Sequence, residues 1–123
     1  MSIKHDLLDP RDRKVTATTT TPFRPYDRYG KPNPMMDWLP LSGDASEGYE
    51  TFVLKMKPGA KSTPHIHTGG EQFYVIDGSM TDCDGTTFLA GDYVNYKPAS
   101  RHFSTSENGC TLLVILRGKN EAV

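Results

Sequence analysis

The stretch from Pro64 to Gly78 reads Pro64-His65-Ile66-His67-Thr68-Gly69-Gly70-Glu71-Gln72-Phe73-Tyr74-Val75-Ile76-Asp77-Gly78. Side chains alternate along an extended chain, so His65 and His67 project to one face, about 7 Å apart at the backbone, with Ile66 turned away. Glu71 shares their parity, but on a straight strand it lies roughly 13 Å off, beyond the reach of the same ion. The chain must therefore bend. Gly69-Gly70 provides the means, since glycine accepts the positive φ angles of a tight reversal and can swing Glu71 back beside the imidazoles. A fourth donor, His102, arrives on a separate segment, where Arg101 and Phe103 alternate to the opposite face.

Three neutral imidazoles and one carboxylate suit a borderline divalent ion, iron or zinc first, with manganese, nickel or copper as alternatives; calcium prefers oxygen donors. Six-coordination leaves two positions for water or substrate, whereas four-coordinate zinc is saturated by these side chains. The spacing is compatible with both. A His-x-His pair alone is as often a polar strand face as a metal site, so its setting decides.

Outward from this stretch the chain is strand-like. From Tyr49, the residues Phe52, Leu54 and Met56 alternate with Thr51, Lys55 and Lys57, the period of a half-buried strand. Further strands are expected over Gln72–Ile76, Ser79–Cys83, Thr86–Leu89, Tyr93–Tyr96, His102–Thr105 and Thr111–Leu116. Asp77-Gly78 and Asp84-Gly85 read as tight hairpin turns between them. Trp38–Leu41 is a candidate eighth strand, and Val15 with Thr18–Thr21 another. The prolines and Gly30 of the first third exclude a long helix. Residues 1–48 thus read as an extension with one or two strands packing on a barrel formed by residues 49–123, together one all-β domain. Phe52, Leu54, Met56, Phe73 and Val75 share the inward parity and are expected to line an apolar substrate pocket beside the metal, plain core packing being the alternative.

Composition narrows the partners. Fourteen basic against fifteen acidic residues leave a formal charge of -1, with no basic excess for nucleic acid or an anionic membrane. The longest apolar run, Leu112–Leu116, is far too short to span a bilayer. Met1–Lys14 carries no apolar stretch of the secretory kind, so a cytoplasmic location is expected. Cys83 and Cys110 are expected as free thiols, and Arg24, Arg28 and Lys31 as a solvated loop. Short strands leave unpaired edges in a small domain, from which a homodimer is expected.

The pattern Gly59, His65, His67, Glu71, Gly78 resembles the first motif of the cupin superfamily at every spacing. Gly91 and His102 resemble the second, although Pro98 sits one place late, Ser100 falls near an expected glycine and Ser106 replaces an asparagine. The stretches Pro64–Glu71, Asp82–Gly85, Pro98–His102 and Gly109–Leu113 are similar to the cupin domain of ChrR-type zinc anti-sigma factors and to acetylacetone- and dihydroxyacetophenone-type dioxygenases. The resemblance implies a cupin double-stranded β-helix, a jelly-roll barrel, with His65, His67, Glu71 and His102 as metal ligands. It also implies either dioxygenase chemistry on a small carbonyl or phenolic compound or a non-catalytic metal-binding sensor. Residues 1–48 read as too turn-rich to supply the helical domain with which such an anti-sigma factor holds its sigma factor. Because an open His-rich centre can bind a chelating substrate and then dioxygen, the oxygenase is the preferred expectation. Metal-dependent isomerisation or hydrolysis is a third, since fold alone does not fix function.

Overall fold

A computed structural model describes residues 7–123; His5 lies outside the described residues. In chain order the strands are β1 (Arg24–Tyr26), β2 (Asn33–Asp44), β3 (Tyr49–Met56), β4 (Ala60–Lys61), β5 (His65–His67), β6 (Glu71–Asp82), β7 (Thr87–Leu89), β8 (Tyr93–Tyr96), β9 (Ser100–His102), β10 (Ser104–Ser106), β11 (Cys110–Arg117) and β12 (Asn120–Ala122). The larger sheet runs β1-β2-β3-β11-β6-β10-β4, with β7 and β8 also paired to β6, and the smaller sheet is β12-β5-β9. All pairings are antiparallel. The result is an all-β, curled antiparallel barrel. Among the described residues, no helix is long and apolar enough to cross a membrane.

The expected alternation holds in β3, where Phe52, Leu54 and Met56 are buried and Lys55 is exposed. With Phe73, Leu112, Val114 and Leu116 they build the core. Four expectations are corrected. Asp77-Gly78 is not a hairpin: the segments Gln72–Ile76 and Ser79–Cys83 join into the single strand β6, and the register against β11 slips past Ile76. Gly78 takes φ +76°, and a Cβ there would collide with the carbonyl of Gly109, so the glycine serves a bulge. Asp84-Gly85 does form the turn between β6 and β7, with Gly85 N–H donating to Asp82 O at 2.9 Å. Secondly, His102–Thr105 is broken at Phe103, which sends β9 to the small sheet and β10 to the large one. Thirdly, Thr18–Thr21 is a turn, where Thr20 and Thr21 N–H groups donate to Ala17 O. The β-branched run lost to a local hydrogen-bonded reversal.

Fourthly, Arg28 is not solvated. Its side chain is 10% exposed and makes a two-pronged bond to Glu50, Nη1 to Oε2 at 3.0 Å and Nη2 to Oε1 at 3.1 Å. Its guanidinium carbon lies 5.1 Å from the Trp38 ring centroid and 5.3 Å from that of Phe52. A charged fork can be buried when it is matched by a carboxylate and aromatic faces. The expected strand at Trp38–Leu41 grows into the twelve-residue β2, despite Pro34 and Pro40. Because β1 pairs with β2 only from Asn33 to Trp38, Pro40 meets an open edge, and its missing N–H interrupts no ladder there.

Candidate metal centre

The small sheet presents the site. In β5, His65 and His67 share a face by parity. Directly opposed residues of antiparallel strands also share a face, and the register sets His65 against His102 and His67 against both Ser100 and Asn120. One surface therefore carries His65, His67, His102, Ser100 and Asn120. Glu71 is delivered from the start of β6 by the bend after Thr68. Gly70 adopts φ +92°, and a Cβ on Gly69 would lie 2.5 Å from the Arg117 carbonyl oxygen, so each glycine is required for its own reason.

The donor atoms converge. His65 Nε2 is 3.1 Å from His67 Nε2 and 3.1 Å from His102 Nε2, and Glu71 Oε2 is 3.1 Å from His67 Nε2. His67 is fully buried, His65 and Glu71 nearly so. The opposite ring nitrogens are all engaged: His65 Nδ1 with Thr63 O at 2.6 Å, His67 Nδ1 with Ser100 Oγ at 2.9 Å and His102 Nδ1 with Asp82 Oδ1 at 2.8 Å. A carbonyl and a carboxylate can only accept, so His65 and His102 carry their protons on Nδ1 and turn Nε2 lone pairs toward each other. Facing lone pairs beside a carboxylate suit a cation between them. Two donors bound at about 2.1 Å to one ion sit about 3.0–3.4 Å apart, the spacing found here. The set fits a divalent ion of the kind that takes imidazole and carboxylate together.

Charge balance supports the same arrangement. Burial, with His102 and His67 alongside, holds His65 below the ordinary imidazole pKa. Burial opposes ionisation of Glu71, but the hydrogen bond with His67, the nearby His67 and His65 rings and the Asn120 amide outweigh it and hold the carboxyl below its ordinary value. Asn120 Nδ2 donates to Glu71 Oε1 at 3.2 Å, which leaves Oε2 as the oxygen facing the imidazoles. Tyr96 stacks on His67 with centroids 5.0 Å apart and donates its hydroxyl to Asp82 Oδ2 at 2.6 Å. Burial, and then Asp82, push the Tyr96 phenol up, so it remains the donor.

A cavity of about 40 Å³ adjoins the cluster. His65, Glu71 and His102 share its wall with Phe52, Leu54, Met56 and Phe73, while Val75 sits fully buried in the core and away from the cavity. Tyr74 and Tyr93 are exposed. Sequence reasoning had not singled out Asp82, Ser100, Asn120 or Tyr29 for the site. Ser100 shares strand parity with His102, which was an available signal; the other three depend on cross-strand register and on the path of the N-terminal segment.

An antiparallel barrel whose bent β5–β6 segment brings three histidines and a glutamate together is a cupin. The chain belongs to the ChrR cupin-like domain family, whose model matches residues 11–119. Among curated proteins no sequence matches. A cupin-like protein of unknown function from Ralstonia eutropha JMP134 is 25% identical, with a TM-score of 0.77 over 89% of this chain and 69% of that one. An acetylacetone dioxygenase from Acinetobacter johnsonii is 17% identical, with a TM-score of 0.71 over 94% and 85%. The Rhodobacter sphaeroides complex of SigE with the anti-sigma ChrR contains a chain 19% identical, TM-score 0.64, over 81% of this chain and 50% of that one. The last two share the fold with this protein.

Proposed function

We propose that this cupin is a metal-dependent oxygenase acting on a small carbonyl or phenolic compound that chelates through oxygen. The observation that carries the reading is the cavity: His65, Glu71 and His102 share one wall with Phe52, Leu54 and Phe73, so a small ligand can approach the donor cluster from an apolar side. A divalent ion held by His65, His67, Glu71 and His102 would polarise a chelating oxygen and, if iron, exchange electrons with dioxygen. The chain's own contribution is positioning. Asp82, Ser100 and the Thr63 carbonyl fix the imidazoles, Asn120 limits Glu71 to one inward oxygen, and the aromatic wall excludes bulk water. The cavity leaves room for only the chelating end of such a compound, a few heavy atoms, beside the ion.

The fold shared with an acetylacetone dioxygenase supports this reading. Membership of the ChrR cupin-like family favours a second, a metal-binding sensor module without turnover. Oxygen uptake by iron-loaded protein with β-diketones and hydroxylated acetophenones separates them. Uptake with substrate consumption is expected of the enzyme; tightly held zinc with no uptake from the iron form is the sensor's result. Self-association as a dimer is proposed alongside, supported by the exposed cross-strand pair Tyr74 and Tyr93 and neighbouring Ile76, and light scattering tests it.

A further inference from the structure

Two polar atoms on the cavity wall have no hydrogen-bond partner among the described residues: the Tyr29 hydroxyl and Asn120 Oδ1. Asn120 is only 9% exposed. Its amide orientation is settled, because Nδ2 donates to a carboxylate oxygen of Glu71, which can only accept. Oδ1 is therefore an acceptor in want of a donor. Of the other polar side chains on the wall, Tyr26 Oη accepts from Arg28 Nε at 3.1 Å, and the hydroxyls of Ser62 and Ser104 lie 3.3 Å apart.

Both unpaired atoms are held by rigid surroundings. Tyr29 follows Arg28, which is clamped on Glu50, and its ring stands 6.2 Å from that of His65 at a 33° tilt. Asn120 is fixed in β12 opposite His67. Buried polar groups in native proteins are nearly always paired, and two left open on the wall of a small cavity beside the histidine cluster mark a place where a bound molecule completes the bonding.

We propose that Tyr29 and Asn120 are ligand-selecting residues, and that the ligand is an oxygen chelator that also carries an O–H or N–H donor for Asn120 Oδ1 and an acceptor for the Tyr29 hydroxyl. That describes a hydroxy- or amino-substituted carbonyl rather than a bare diketone. The inference rests on reading the site as an open metal centre and deepens it by naming the substrate class. A chelator without the donor leaves Asn120 Oδ1 unpaired on binding, and sites built to bond a ligand group discriminate strongly against analogues that lack it.

The test uses the cobalt(II)-loaded 123-residue chain titrated with acetohydroxamic acid and with N-methylacetohydroxamic acid, which chelate through the same two oxygens and differ in the N–H. The visible cobalt spectrum reports binding, and elemental analysis reports retention of the ion. Acetohydroxamic acid is expected to bind about tenfold or more tightly than its N-methyl analogue. In Asn120→Leu, which keeps the branched shape and removes the acceptor, the preference should collapse; a preference due to methyl crowding would persist and overturn the assignment. Tyr29→Phe should weaken both probes by about tenfold with cobalt content unchanged. If Asn120→Leu fails to fold or to hold cobalt, Tyr29→Phe decides, and unaltered affinity there overturns the proposal. Equal binding of the two probes by the unmutated protein refutes the selecting pair while leaving the open metal centre intact. No spectral response to either probe refutes both.

Discussion

Glu71 and Asp82 begin and end the same strand, β6, and both carboxylates come to rest on one histidine cluster, Glu71 Oε2 3.1 Å from His67 Nε2 and Asp82 Oδ1 2.8 Å from His102 Nδ1. A straight strand of that length would hold their Cα atoms about 36 Å apart. The bulge at Ile76–Gly78 adds bend and twist that help to curl the strand around the barrel, so that one end supplies a candidate ligand and the other orients a neighbouring imidazole.

Asp82 should therefore matter to metal affinity without touching the ion. Asp82→Ala removes the acceptor that keeps the His102 proton on Nδ1, and it also frees the Tyr96 hydroxyl. Metal affinity is expected to fall about 10- to 100-fold, with the fold retained, as measured by competition with a chelating indicator. Unchanged affinity would show that His102 needs no such orientation.

Acid should destabilise the metal-free protein in two windows. Burial, reinforced by His102 and His67, keeps the folded-state pKa of His65 below its unfolded value. The stability linked to it is complete above about pH 6.5 and is lost as pH falls through the folded value. Glu71 is likewise held below its ordinary value of 4.5, burial being outweighed by His67, His65 and Asn120. Its contribution is present above that pH and lost below it. The urea midpoint of metal-free protein should drop steadily from about pH 7 to about pH 4. A flat or rising midpoint would contradict these assignments.

The four candidate ligands were legible in the sequence because their geometry is mostly local: parity places His65 with His67, and only glycine-permitted bending returns Glu71. Their hydrogen-bond partners were not. Asn120 meets Glu71 because β12 pairs with β5, and Tyr29 reaches the cavity because Arg28 is buried against Glu50 and Trp38. Such contacts are set by register and by tertiary burial, which overrode the solvated-loop reading of a charged segment. The same limit made a bulged strand look like a hairpin at Asp77-Gly78, since one dipeptide chemistry serves both.

The clamp that positions Tyr29 is itself testable. Arg28 and Glu50 side chains are 10% and 15% exposed, so Glu50→Ala leaves a buried guanidinium without its counter-charge. A loss of about 3–5 kcal/mol in chemical denaturation is expected. A loss under about 1 kcal/mol would place the pair energetically at the surface.

Ala99, in the turn before β9, adopts φ +68°, a conformation that costs an L-residue about 1–2 kcal/mol. Its N–H donates to His67 O at 2.7 Å, so the turn is tied to the cluster. Ala99→Gly relieves the strain but enlarges unfolded-state entropy, and a net stabilisation of about 0.5–1 kcal/mol is expected from thermal melts. Destabilisation would mean that the left-handed backbone is not strained.

The central claim, that His65, His67, Glu71 and His102 together hold one divalent ion, is tested most directly by metal content. Unmutated protein and His67→Ala, produced in the same metal-supplemented medium and checked for fold by circular dichroism, are compared by elemental analysis. His67 is the fully buried member, with its Nε2 within 3.1 Å of both His65 Nε2 and Glu71 Oε2. The account predicts close to one ion per chain in the unmutated protein and loss of most of it from a folded His67→Ala; a folded variant that keeps full occupancy would contradict it.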